Sequence, residues 1–308
     1  MIKSAVNYAN LCGLTVVGYS SEPSTEDTLV SELKEYIPVK TTKIARHVVA
    51  PPSQSDLLEI LADRRLQAWM QPQVSLKSNE IVGFEALMRG ISLSDEIIGP
   101  DLLVPAFERA GLMNEVTLEM LRQTVAFVFS SLKNGNAITG SVNVSLTSLS
   151  DPDFCRALPM ILEQSGLDPS WITLEITESD AMANICDVVE NTTRIRMLGF
   201  NLAIDDFGTG YSSLAQLLAI PFSELKLDRC FIQDIDRNVQ KQMIVQACSG
   251  MSSKLGLNIV AEGVETDSEW RTVLASGCTH IQGYRVSKPL PATEAHAWLK
   301  SFRNQVWV

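Results

Sequence analysis

From residue 66 onward, short apolar runs of the kind that form buried strands alternate with longer stretches in which apolar residues recur at helical spacing. The runs predict strands at Leu66–Val74, Ile81–Met88, Gly140–Leu146, Trp171–Ile176, Phe200–Asp205, Glu224–Leu227, Leu257–Ala261 and Thr279–Gln282. The stretches between them predict helices, notably Val116–Lys133, Asp187–Leu198, Val239–Leu255 and Ser268–Ser276. Eight strands alternating with helices over about 240 residues predict an α/β fold, a TIM-like (β/α)8 barrel rather than an open sheet. Only Lys77-Ser78-Asn79-Glu80 separates the first two strands, which is hairpin spacing. One strand is therefore expected to run antiparallel, making the barrel irregular.

Ahead of the barrel the pattern changes. Leu14–Val17 is rich in β-formers, Gly18–Pro23 is turn-like, and Thr25–Tyr36 has helical spacing after an N-cap at Ser24 or Thr25. One strand and one helix cannot bury a core alone. Residues 37–54, with Pro38, Pro51 and Pro52, read as a linker, and a short amphipathic helix at about Ser55–Arg64 leads into the barrel. The chain thus divides into an N-terminal appendage, residues 1–54, and a main domain, residues 55–305.

Composition narrows the partners. At 308 residues and 45% hydrophobic, the chain can bury a substantial core. Its net charge of −11 argues against a nucleic-acid polymer as partner, although an acidic protein can bind a phosphate ligand when metal ions carry the local positive charge. No apolar run approaches the roughly 20 residues that cross a bilayer, so no membrane partner is expected. Asn7, Tyr8 and Asn10 interrupt the first residues and make them a poor signal peptide. The six cysteines are scattered without Cys-x-x-Cys spacing or a histidine cluster, which predicts reduced thiols and a cytoplasmic location.

Charges inside the apolar strands alter this bland picture. Phe200, Leu202 and Ile204 alternate along a strand that ends in Asp205-Asp206, followed at once by Gly208 and Gly210. Two adjacent carboxylates repel unless a cation lies between them, and Mg²⁺ prefers such oxygens. The same end of the other strands delivers Glu85, Asn143, Glu175, Lys226 with Asp228, Glu262 with Glu265, and Gln282. Isolated strand charges are usually structural ion pairs, but a whole ring of them points to a metal site. Glu85, Asn143, Glu175 and Asp205 would supply one octahedral ion, and Asp205 would bridge to a second shared with Asp206 and Glu262. Paired ions suit phosphodiester cleavage, with Lys226 placed to hold the attacking water. A plain counter-ion role for Lys226 is the alternative. The histidines, His47, His280 and His296, have no placed nucleophile and read as structural or solvated.

Glu85-Ala86-Leu87, Asn143-Val144-Ser145, Glu175-Ile176-Thr177-Glu178, Asp205-Asp206-Phe207-Gly208-Thr209-Gly210, Lys226-Leu227-Asp228, Glu262-Gly263-Val264-Glu265 and Gln282-Gly283-Tyr284 together resemble the EAL-domain family of cyclic di-GMP-specific phosphodiesterases. The match covers about residues 60–302. It implies a TIM-like barrel, Mg²⁺ or Mn²⁺ dependence, hydrolysis of cyclic di-GMP to linear pGpG, and a homodimer through helices around the fifth and sixth strands. Residue by residue, it implies that Glu85, Asn143, Glu175 and Asp205 bind the first metal. Asp206 and Glu262 would surround the second metal and the water, and Lys226 would position that water. Glu178 would brace the loop after Asp206. Gln71, Arg89, Asp228, Glu265 and Gln282 would line the nucleotide pocket. Met70 and Gly90 depart from the family pattern, where an aromatic and a bulkier residue are usual, and are expected to affect substrate packing. A non-catalytic cyclic di-GMP receptor is the alternative function. Residues 1–36 resemble the last strand and helix of a response-regulator receiver domain, with Glu22 where a lysine usually precedes the proline.

Overall fold

A computed structural model describes residues 52–181, 185–209 and 214–302. The receiver-like segment and the linker as far as residue 51 lie outside the described residues, as do residues 210–213 of the glycine-rich loop.

The described chain opens with α1 (Gln54–Ala62), which Ser53 and Asp56 start by capping one another's backbone N–H groups. A long hairpin follows, β1 (Leu66–Ser75) and β2 (Ile81–Ile91), then β3 (Ile97–Ile98), α2 (Pro100–Ala110) and α3 (Met113–Lys133). Next come β4 (Thr139–Asn143), α4 (Leu146–Ser150), α5 (Pro152–Ser165), β5 (Ile172–Thr177), α6 (Glu178–Ala181) and α7 (Ile185–Met197). β6 (Asn201–Phe207), α8 (Leu214–Ala219), β7 (Glu224–Leu227), α9 (Arg229–Ile232) and α10 (Val239–Leu255) continue the alternation. β8 (Asn258–Ala261), α11 (Asp267–Ala275), β9 (His280–Gln282), β10 (Leu290–Pro291) and α12 (Ala292–Phe302) complete it.

β2 and β4 through β9 pair in parallel around the ring, and β1 closes it by pairing antiparallel with both β2 and β9. The expected antiparallel strand is thus β1. The short strands β3 and β10 extend β2 and β1 at their edges.

Strand alternation sorts the side chains into two environments. Phe84, Leu174, Leu202, Ile204, Leu225, Ile259 and Ile281 are fully buried on the outer face, under the helices. Phe84 meets Phe127 of α3 edge-on at 5.1 Å. This sheet–helix layer is the hydrophobic core, where truncating an aromatic to alanine costs about 3–5 kcal/mol. The opposite parity faces the lumen: Gly83 and Glu85, Ser141, Thr173 and Glu175, Ala203 and Asp205, Glu224 and Lys226, Val260, His280 and Gln282. Barrel interiors are ordinarily filled by Val, Ile and Leu. Here the lumen is polar or small at nearly every level, so stability resides outside the ring and the inside is free for chemistry.

Met70 and Gly90 answer to packing, not to substrate. Met70 pairs with Ala86 on the outer face and is fully buried. A Cβ on Gly90 would stand 3.1 Å from the Leu103 methyl groups of α2, so glycine lets that helix lie close to the strand.

Candidate metal centre and ligand cleft

The lumen chemistry converges on Lys226. Its Nζ lies 2.8 Å from Glu175 Oε2, 2.8 Å from Glu262 Oε1, 3.2 Å from Asp205 Oδ1 and 3.4 Å from Glu85 Oε2, and its side chain is fully buried. Burial alone would lower the lysine pKa, but Asp205, Glu175, Glu262 and Glu85 together raise it well above the usual value. It therefore stays charged. The carboxylates fare differently, because four of them share one ammonium. Burial lifts Glu175 and Glu262 well above the ordinary carboxylate range, and neighbouring carboxylates add to the lift against the pull of Lys226. Burial and the Glu85 charge likewise raise Asp205. Glu85 is the exception: burial pushes it up, but Lys226 and the amides of Gln282 and Asn143 bring it below its usual value. Asp206, nearer the mouth, rises to about 6 through burial and the charges of Asp205 and Asp228.

The donor set suits a hard divalent cation. Oxygens of Glu85, Glu175 and Asp205 lie within 4.8 Å of one another, as do oxygens of Asp205, Asp206 and Glu262, so Asp205 belongs to both groups. Glu175 Oε1 is buried and has no hydrogen-bond partner among the described residues. An orphaned carboxylate oxygen, a surplus of negative charge and an all-oxygen lining fit a hard divalent cation far better than a softer metal. Asn143 Nδ2 donates to Glu85 Oε1 at 2.9 Å, which leaves its Oδ1 without a donor among the described residues.

The backbone at the end of β6 is tensioned to present these groups. Asp206 is left-handed, with φ 54°, a state that costs a non-glycine residue about 1–3 kcal/mol. Its own N–H donates to Asp205 Oδ1 at 3.0 Å, and its carbonyl accepts from the Thr209 hydroxyl at 2.9 Å. Glu178, buried, accepts from the Gly208 N–H at 2.7 Å and braces the loop as expected. Gly208 has φ 100°, and a Cβ there would overlap the Phe231 ring.

A cleft of about 350 Å³ lies over the cluster, lined by Gln71, Asn143, Asp206, Glu262, Glu265 and Tyr284 among others. Glu265 pairs with Arg229 at 2.8 Å on its wall. Gln282 forms part of the lining but is buried, and its Nε2 donates to Gln71 Oε1 at 3.1 Å and to Glu85 Oε2 at 2.5 Å. Arg89 and Asp228 are not brought into that lining. The Arg89 guanidinium sits 5.6 Å from the Trp69 ring centroid and donates to the Met88 carbonyl. Asp228 caps α9 by accepting from the Cys230 N–H at 2.9 Å, and its charge helps raise Asp206. Sequence reasoning gave no role to Arg229 and Tyr284, which line the cleft, or to Gln73, whose Nε2 donates to Gln282 Oε1 at 3.1 Å. Gln73 carried a readable signal, a second polar residue two positions after Gln71 on the same strand face. The described histidines take no part: His296 stacks on Phe127, and His280 Nδ1 contacts Thr279 Oγ1.

The family model described as "EAL domain" matches residues 54–289. Cyclic di-GMP phosphodiesterase NbdA of Pseudomonas aeruginosa is 35% identical over 251 residues, which is 81% of this chain and 32% of NbdA. Cyclic di-GMP phosphodiesterase RocR of the same organism is 28% identical over 94% of this chain and 74% of its own length. The chain thus spans about a third of the first relative and most of the second. The solved structure titled "PaMucR Phosphodiesterase, c-di-GMP complex" is 33% identical and superposes with a TM-score of 0.75, covering 78% of this chain and 98% of that one.

Proposed function

This chain belongs to the EAL-domain family, and from that premise we propose that it is a metal-dependent phosphodiesterase that opens cyclic di-GMP to linear pGpG in bacterial second-messenger signalling. The observation that carries this reading is the position of Asp205 in two overlapping carboxylate groups around one buried lysine. Glu85, Asn143, Glu175 and Asp205 would hold one Mg²⁺ or Mn²⁺ ion, and Asp205, Asp206 and Glu262 a second. Such ions, when bound, polarise phosphoryl oxygens and ease deprotonation of water.

The chain's own residues do the rest. Lys226, kept protonated, cannot act as a base; it donates hydrogen bonds from Nζ and so orients the attacking water. Asp206 and Glu262 border the same space. Gln71 and Glu265 contact the nucleotide from the cleft, Arg89 and Asp228 act from beside it, and Gln282 acts through Glu85. The net reaction adds one water across one of the two phosphodiester bonds of the ring. Incubation with cyclic di-GMP and Mg²⁺ or Mn²⁺, followed by chromatography, tests this reading directly. Appearance of pGpG supports it, whereas tight binding without turnover would replace it with a non-catalytic receptor.

The proposal includes a cytoplasmic location and a homodimer. No described helix is long and apolar enough to cross a membrane. Leu218 on α8 and Val239, Met243 and Ile244 on α10 are exposed, which supports pairing through helices that follow the fifth and sixth barrel strands predicted from the sequence. Light scattering on wild type and Met243→Glu tests the dimer: a wild-type monomer at micromolar concentration would reject it.

A further inference from the structure

No motif drew attention to Gln73, yet it branches onto a chain of hydrogen bonds that runs from Glu85 to the Ser287 carbonyl. Gln73 Nε2 donates to Gln282 Oε1 at 3.1 Å, in a fully buried contact between β1 and β9. Gln282 Nε2 then spends both of its hydrogens, one on Gln71 Oε1 at 3.1 Å and one on Glu85 Oε2 at 2.5 Å. Gln71 Nε2 passes on to the Ser287 carbonyl at 3.2 Å. Both ends of this chain, a carboxylate and a backbone carbonyl, can only accept. The direction of every amide between them is therefore forced, although an amide's oxygen and nitrogen are otherwise nearly interchangeable.

That direction matters most at Glu85. A Gln282 amide turned end for end would press its oxygen against the Glu85 carboxylate, two acceptors face to face. Glu85 itself disfavours that turn, and Gln73 reinforces the orientation by giving Gln282 Oε1 a donor. The neighbouring strand leaves the Gln73 amide space: a Cβ on Gly83 would overlap Thr139 Oγ1, at 2.5 Å, but meet Gln73 Oε1 only at ordinary contact distance. Gln73 pairs directly with Gln282 across the sheet, so the contact is set by register rather than by a flexible loop.

We propose that Gln73 is a positioning residue, which locks the Gln282 amide in the orientation that donates to Glu85 and so sets the aim of Glu85 toward a divalent cation. The inference rests on the metal-dependent reading above. Partners of this kind, one step behind a metal ligand, typically change metal affinity by about 10–100-fold when removed, and one step further back about threefold to tenfold is expected.

The test uses wild type, Gln73→Leu, Gln282→Leu and the double variant. Mn²⁺ affinity of the nucleotide-free protein is measured by calorimetry, kcat and KM for cyclic di-GMP at limiting and saturating Mn²⁺, and the thermal midpoint in EDTA. Gln73→Leu is expected to weaken Mn²⁺ binding about threefold to tenfold, to lower kcat at limiting Mn²⁺ by the same factor, and to recover at saturating Mn²⁺ with KM unchanged. In the Gln282→Leu background it should add nothing, because its only route to Glu85 is gone. Gln73→Glu, nearly isosteric but unable to donate when ionised, should weaken Mn²⁺ binding more than Gln73→Leu and covers the case in which leucine disturbs the fold. Unchanged Mn²⁺ affinity in both Gln73 variants, or fully additive losses in the double variant, overturns the inference alone. A wild type that neither binds Mn²⁺ nor cleaves cyclic di-GMP overturns the metal reading and the inference with it.

Discussion

Lys226 Nζ and Glu175 Oε2 lie 2.8 Å apart with both side chains fully buried. Elsewhere such a pair would be self-contained, but Glu175 keeps a second oxygen with no partner among the described residues, and three more carboxylates lean on the same ammonium. One positive charge against four negative ones leaves a surplus that protons or metal ions must offset.

Activity should require a small divalent cation. Mg²⁺ or Mn²⁺ suits an all-oxygen lining, and Ca²⁺, with longer bonds and looser geometry, should inhibit. Turnover of cyclic di-GMP measured with each ion and in excess EDTA decides it. Full activity in EDTA would remove the metal from the mechanism.

Glu85→Ala should cut turnover by orders of magnitude and leave the fold intact. It removes a proposed metal ligand, but it also removes one surplus negative charge beside Glu175 and Asp205, whose pKa values Glu85 helps raise. The donors of Asn143 and Gln282 lose a partner, at a cost of about 1–3 kcal/mol each that the relieved repulsion partly offsets. Near-normal kcat in a folded variant would show that Glu85 does not hold the metal.

Much of this site was legible in the chain because charge inside an apolar strand is costly and thus conspicuous. Glu175, Asp205 and Lys226 each interrupt hydrophobic runs, and the structure brings all three together. Helix α10 was readable to its ends because Asn238 caps it and Gly256 terminates it in the left-handed state. Helices α2 and α5 are less legible, since each contains a proline, Pro105 and Pro159, that ordinarily interrupts a helix and here does not. The turn of Gln282 toward Glu85 is not legible. A side chain's hydrogen-bond partner two strands away leaves no trace in local spacing.

Without metal, stability should fall as pH rises through the neutral range. The Asp206 pKa lies at about 6 instead of 3.8 and the Glu224 pKa at about 7 instead of 4.5, in both cases chiefly through burial. A raised carboxyl pKa means that the folded chain keeps a proton the unfolded chain has released. Below about pH 4 both states are protonated and the shifts count for nothing; above about pH 7 their full cost is felt. Glu85, with its lowered value, works the other way but is outnumbered. The thermal midpoint in EDTA should thus drop between pH 5 and pH 7.5, and Mn²⁺ should flatten the slope by replacing protons at the cluster. A midpoint that climbs over that interval in EDTA would contradict the charge surplus.

Replacing Lys226 separates catalysis from charge balance. As a counter-ion alone, it should matter most in the metal-free protein, where its loss strips four clustered carboxylates of the cation they share and costs about 3–5 kcal/mol in a buried pair. Bound metal ions would then take over the balancing role, and Lys226→Ala with saturating Mn²⁺ should turn over normally. As the donor that orients the attacking water, it has no substitute in the metal ions. Lys226→Ala should then show a lowered midpoint in EDTA that Mn²⁺ largely restores, nearly unchanged affinity for cyclic di-GMP, and a kcat that stays depressed by orders of magnitude. Such a split marks an interaction made chiefly in the transition state. Measuring kcat, nucleotide affinity and midpoint on one preparation, with and without Mn²⁺, distinguishes the two, and recovery of kcat along with the midpoint would reject the catalytic role.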